Sequence, residues 1–159
     1  MKNKIFVALL CTIYLLISGC SPQKKTAGNY TYKTECLGIE MDGSQTVKTW
    51  GNGKNRFDAI EQAKKNAVRD VLFNGILEGK SDCEKRPVVS EVNAQVKYET
   101  YFNKFFTDKG EYKDYISMKD TQLGVKEIKG ARESVTIGVV VRVLRPELKQ
   151  KMIADGILK

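Results

Sequence analysis

Ala59, Ala63 and Ala67 recur every fourth residue in the run from Arg56 to Asn74, and this spacing constrains the fold more than any other feature of the chain. Phe57, Ile60, Val71 and Leu72 extend the stripe at three- and four-residue steps, while Lys64, Lys65, Arg69 and Asp70 lie largely off it. This is the pattern of an amphipathic helix. Alanine along its seam lets the helix backbone approach a sheet closely. Gly75 supplies a C-terminal stop, and Gly51-Asn52-Gly53 sits just ahead of the helix.

The sheet such a helix needs is legible on both sides of it. Tyr30 to about Met41 suits a strand, Asp42-Gly43 is a turn dipeptide, and Thr46 to Trp50 suits a second strand, which together predict a β-hairpin. The run from Ser134 to Leu144 alternates β-branched residues at Val135, Ile137, Val139, Val141 and Val143, the signature of a well-covered, central strand. A further strand is expected near Asp114 to Lys119, continuing through a bulge into Leu123 to Ile128, with a turn over Lys129 to Glu133. Residues 77–87 read as a loop. Ser90 to about Phe106 reads as a second helix with Val92, Val96, Phe102 and Phe106 on one face. Pro146 opens a short terminal helix, Glu147 to Asp155, that buries Leu148, Met152 and Ile153 and stops at Gly156. The expected fold is α+β: a three- to four-stranded, mostly antiparallel sheet with the alanine-seamed helix and further helices packed on one face. It forms a single domain over residues 30–159.

The N-terminus has a different character. Lys2 and Lys4 precede a mostly apolar run from Ile5 to Ile17, and small residues Ser18 and Gly19 precede Cys20, the layout of a secretory signal too short to span a bilayer. Ile17-Ser18-Gly19-Cys20 resembles the bacterial lipobox. The resemblance implies removal of residues 1–19 and acylation of Cys20 by palmitate-like chains, with residues 20–29 as a flexible tether. Several acyl chains hold a protein to a membrane essentially permanently, whereas one holds it only marginally. By bacterial sorting rules, Ser21 in place of Asp points to the outer membrane, and the lack of an acidic run after the anchor points to a periplasm-facing domain. The alternative is an ordinary signal peptide with Cys20 incidental.

Of the four cysteines, Cys11 goes with the signal and Cys20 with the lipid. Cys36 and Cys83 remain. In an oxidising compartment the pair reads first as a disulfide, with two buried free thiols as the alternative. A metal site is the weakest reading, since the chain has no histidine and these cysteines lack close partners with ligand spacing.

Trp50-Gly51-Asn52-Gly53, the alanines at 59, 63 and 67, and Val139-Val140-Val141-Arg142-Val143 with the helix through Leu148 together resemble the small bacterial lipoproteins that share a domain with the N-terminal module of the flagellar assembly protein T. The resemblance spans most of the chain after the anchor. The aromatic-rich second helix departs from that family's pattern. What the family implies is envelope localisation and a structural or assembly role, with no catalytic residues to carry over.

Features that invite chemistry each have a plainer reading. Gly51-Asn52-Gly53 before a helix suggests a phosphate loop, but Arg56 stands where the third glycine of the dinucleotide fingerprint belongs. A strand-to-helix turn is the simpler reading. Without histidine, Ser-His-Asp and Cys-His arrangements are excluded, and Ser90, Ser117 and Ser134 show no Ser-Lys motif. Asp108, Glu111, Asp114 and Asp120 could pair for glycoside cleavage, yet they sit among lysines in a charge-mixed connection. Lys64, Lys65, Arg69, Lys80, Lys85 and Arg86 contribute to the net charge of +8 and could attract acidic envelope components. They are interspersed with acids, which argues against nucleic acid.

Tyr98, Tyr101, Phe102 and Phe105 form an aromatic cluster that reads first as core and second as a ligand or partner contact. The leading expectation is a noncatalytic, lipid-anchored envelope protein without cofactor or metal, acting in assembly or maintenance through an envelope partner or a second copy. A glycan- or lipid-binding module and a small cell-wall hydrolase are the alternatives.

Overall fold

The computed structural model describes residues 32–129 and 134–159, with backbone alone over 118–129. The expected signal segment, Cys20 and the tether lie outside the described residues. In chain order the elements are β1 (Glu35–Ile39), β2 (Gln45–Gly53), α1 (Arg56–Arg69), β3 (Glu78–Gly79), α2 (Ala94–Lys97), α3 (Glu99–Phe105), β4 (Ile116–Lys129), β5 (Val135–Val143) and α4 (Arg145–Ala154). A π turn, Asp70–Asn74, prolongs α1, and a 3-10 turn, Glu111–Tyr115, leads into β4. Among the described residues no helix is long and apolar enough to cross a membrane.

The fold is a mixed sheet of five strands in the order β3-β1-β2-β5-β4, with helices on one face. β1 and β2 form the expected hairpin. Its turn is fixed by Gly43 at φ 80°, a conformation glycine adopts without steric cost, and by the Ser44 N–H donating to Asp42 Oδ1 at 2.9 Å. β5 pairs antiparallel with β2 along Val135–Val143 and with β4 on its other side. That central place accounts for its run of valines, since Val139, Val141 and Val143 are fully buried on one face and Val140, on the other, is 7% exposed. β4 shifts register between Ser117 and Gln122 and again between Gln122 and Lys126.

α1 packs on the face made by alternate residues of β2 and β5. Ala59, Ala63, Ala67 and Val68 are its buried residues. The Asn55 side chain accepts from the Asp58 N–H at 3.0 Å and caps its first turn. The Asn66 amide donates to the Trp50 carbonyl at 2.8 Å, joining the helix to the strand at their closest approach.

Five expectations need correction. The sheet has five strands rather than three or four, because the Cys36–Cys83 bridge and the Lys80 N–H donating to the Cys36 carbonyl at 3.0 Å draw Glu78–Gly79 parallel to β1. The second helix does not run from Ser90 to Phe106. It begins at Ala94, after Asn93 at φ 66°, and breaks at Tyr98 into α2 and α3. Phe57 is exposed rather than seamed, and Ile153 is half-exposed while Leu148 and Met152 are buried. Finally, Asp114 and Tyr115 belong to the 3-10 turn, so β4 starts later than expected, at Ile116.

Candidate functional site

The helix end after α1 creates the main surface feature. The last carbonyls of a helix have no partner within it, and here the widened π turn presents those of Val71 and Leu72 to the following loop. They accept from the N–H groups of Val88, at 2.9 Å, and Val89, at 2.8 Å. Val88 and Val89 are thereby pinned into the core. Gly75, at φ 70°, reverses the chain with its N–H donating to the Asp70 carbonyl at 2.8 Å. The loop leaves the core again at Ser90.

From there the chain enters α2, whose Gln95 and Val96 share a hollow with Phe73 of the π turn. Ala94 is its buried residue, so Val92 and Val96 point outward, 83% and 74% exposed. The Phe73 ring meets Phe102 edge-on, at 4.7 Å between centroids. A groove of about 460 Å³ opens between Phe73, Phe102, Phe106 and Val96. A second hollow of about 420 Å³, sharing Phe73, Gln95 and Val96, continues it past Val92 to Pro87 and Val89. Arg69 lies over the Phe106 ring, 5.0 Å from its centroid, and with Glu99 and Asn103 it supplies the polar rim. Phe73, Val96, Phe102 and Phe106 alternate in its lining with Arg69, Gln95, Glu99 and Asn103, a mixed surface that suits contact with a side chain or segment of another molecule.

A charged cluster beside the groove joins α1 to the 3-10 turn. Glu61 accepts from Lys64, Lys113 and the Tyr112 hydroxyl, each at 2.9 Å. Partial burial pushes the Glu61 carboxyl up, and these three donors more than reverse it, pulling it down to about 2. Burial and then the Glu61 carboxylate raise the Tyr112 hydroxyl. Perturbed groups mark reactive sites in many enzymes, but each member here is consumed by the others, so the cluster is a brace.

The residues singled out from sequence separate. Cys36 and Cys83 form a disulfide, buried on both sides. Phe102 and Phe105 are buried, with Tyr98 and Tyr101 partly buried against them. Phe102 alone of these also lines the groove. The Tyr101 hydroxyl donates to Asp155, and burial together with that carboxylate raises it. Gly51 and Gly53 face α1, where a β-carbon on Gly53 would meet the Ala59 nitrogen at 2.4 Å, so this Gly-x-Gly serves helix packing.

Asp108 pairs with Lys65 at 2.7 Å and Glu111 with Lys151 at 2.8 Å. Asp114 is exposed, and the Asp120 side chain lies outside the described residues. These pairings, with Lys64 on Glu61, also divide the basic patch. Val92, Val96, Phe102 and Phe106, which the sequence places on one face, do line the groove and its continuation, and Arg69 and Phe73 are the residues that sequence reasoning did not join to them. Glu99 and Asn103, in line with Val92 and Val96, mark where that apolar stripe gives way to polar groups. Comparison with known proteins finds no matching family model, no matching curated protein and no matching solved structure.

Proposed function

We propose that the chain is a noncatalytic lipoprotein of the bacterial envelope, held at the outer membrane by acyl chains on Cys20 and facing the periplasm. It acts in assembly or maintenance by seating an envelope protein in the Phe73–Val96 groove. The observation that carries the reading is the exposure of Val92 and Val96 beside the Phe73 ring, an apolar strip that an isolated soluble domain gains nothing by keeping in water. The buried Cys36–Cys83 disulfide supports export to an oxidising compartment. The resemblance to the domain of the flagellar assembly protein T supports an assembly role.

The test is photocrosslinking in intact cells, with a photoreactive residue at Val96 or at exposed Lys149 of the full chain. A discrete adduct with one envelope protein at Val96, absent at Lys149, is the expected result. Equal labelling at both positions would remove the groove from consideration, and adducts with a second copy would make the partner the chain itself.

A further inference from the structure

We propose that the sheet face opposite α1 is a second interaction surface, which seats the domain on the phospholipid head groups of its own membrane through the stacked rings of Trp50 and Tyr32. The proposal rests on the anchoring at Cys20 proposed above. Gly51 and Gly53 both point at α1, so Trp50, next to Gly51 on the strand, points the other way. Its ring lies over Gly138, the residue paired with it on β5, where a β-carbon would come within 3.0 to 3.2 Å of the indole. Tyr32 stacks on that ring at 4.4 Å with 25° between planes, and Lys48 Nζ stands 5.7 Å from its centroid.

The chain itself argues for the occupant. Tyr32, half of the stack, is twelve links from Cys20, a length of at most about 40 Å when fully extended. The anchor therefore keeps this stack within about 40 Å of the bilayer surface. The stack also has the chemistry of that boundary, because indole and phenol rings combine an apolar body with a polar tip and settle at the level of lipid head groups. Lys33, next to Tyr32, is paired with Glu78 at 3.1 Å, so the rings rather than a free amine carry the contact. Among the described residues α1 packs on the other face. The Phe73–Val96 groove is then turned away from the bilayer, open to a periplasmic partner.

Trp50 is the only tryptophan, so its fluorescence reports this surface alone. The native protein, its Cys20 acylation verified by mass, is placed in phosphatidylethanolamine–phosphatidylglycerol vesicles with or without a spin label near the head groups. The expected result is a loss of about half the emission with the shallow label, and a smaller loss with a label at the chain ends. A variant with about ten Gly and Ser residues inserted after Gly28 keeps most of that quenching if the face has affinity of its own. Quenching that vanishes in the lengthened variant would overturn the proposal. So would vesicle-bound, acylated protein whose Trp50 ignores the shallow label, or a Trp50 that responds to soluble glycan fragments and not to lipid. An unacylated Cys20 would instead remove the anchor, and this placement with it.

Discussion

A β-carbon on Gly51 would stand 2.1 Å from the Ala59 carbonyl oxygen and 2.3 Å from the Ala63 nitrogen, so strand and helix touch backbone to backbone at this point. Neither neighbour is a movable side-chain tip. Gly51→Ala should therefore cost about 3 kcal/mol or more, the upper range for overpacking. Gly38→Ala provides the control, because its nearest neighbour is Lys80 Nζ at 3.9 Å and the substitution should change stability by about 0.5 kcal/mol or less. Urea unfolding of the two oxidised variants measures both, and similar midpoints would contradict the close approach.

The Cys36–Cys83 bridge closes a separation of 47 residues that includes β2, α1 and the π turn. In the chain-entropy account a loop of that length contributes roughly 4 kcal/mol by restricting the unfolded chain. Cys36→Ala with Cys83→Ala should lower stability by about that amount and leave β3 without its hold on β1. Unfolding with and without reductant gives the first quantity, and amide exchange at Lys80 gives the second. Thiol labelling of unfolded, unreduced protein should find neither cysteine.

How much of this was readable beforehand depends on the range of the contacts. The seam of α1, the hairpin at Asp42-Gly43 and the central valine strand were legible, because period and turn chemistry are local and all three agree with the tertiary packing. The 90–106 region was misread through choice of face. Val96 and Phe102 are six residues apart, which does not fit a helical stripe, whereas Ala94, Tyr98, Tyr101, Phe102 and Phe105 do, and all of these are buried or partly buried. The far wall of the groove, Arg69 and Phe73, was beyond local reasoning. The groove depends on the Val71 and Leu72 carbonyls accepting from Val88 and Val89, a long-range pairing with no mark in either segment alone, and β3 likewise depends on the disulfide.

Glu61 ties stability to pH. Its carboxyl falls from an ordinary 4.5 to about 2 under the pull of Lys113, Lys64 and Tyr112, against the opposing effect of burial. A carboxyl with a lowered folded-state value contributes fully above its unfolded value and loses that contribution as the pH drops through the folded one. Glu61→Gln should therefore be less stable than the natural chain by about 1–2 kcal/mol at neutral pH. The difference should persist down to about pH 4.5 and close as the pH approaches 2. Thermal unfolding of both proteins across that window gives the curve, and a gap unchanged at low pH would mean that the carboxylate charge is not what binds α1 to the 3-10 turn.

Val89 and Val96 lie on the two sides of the boundary between core and groove. Val89 is 2% exposed, held by its N–H on the Leu72 carbonyl at 2.8 Å, while Val96 is 74% exposed. Val89→Ala should destabilise the domain by about 2 kcal/mol, through lost burial and the cavity left against the π turn. Val96→Ser should shift stability by no more than about 0.5 kcal/mol, since it removes little from the folded core. Such a split identifies Val96 as a residue kept for something other than folding, and it makes Val96→Ser a clean probe of partner binding. If Val96→Ser instead cost as much as Val89→Ala, α2 would be packed against the domain through that side chain and the groove would not be open.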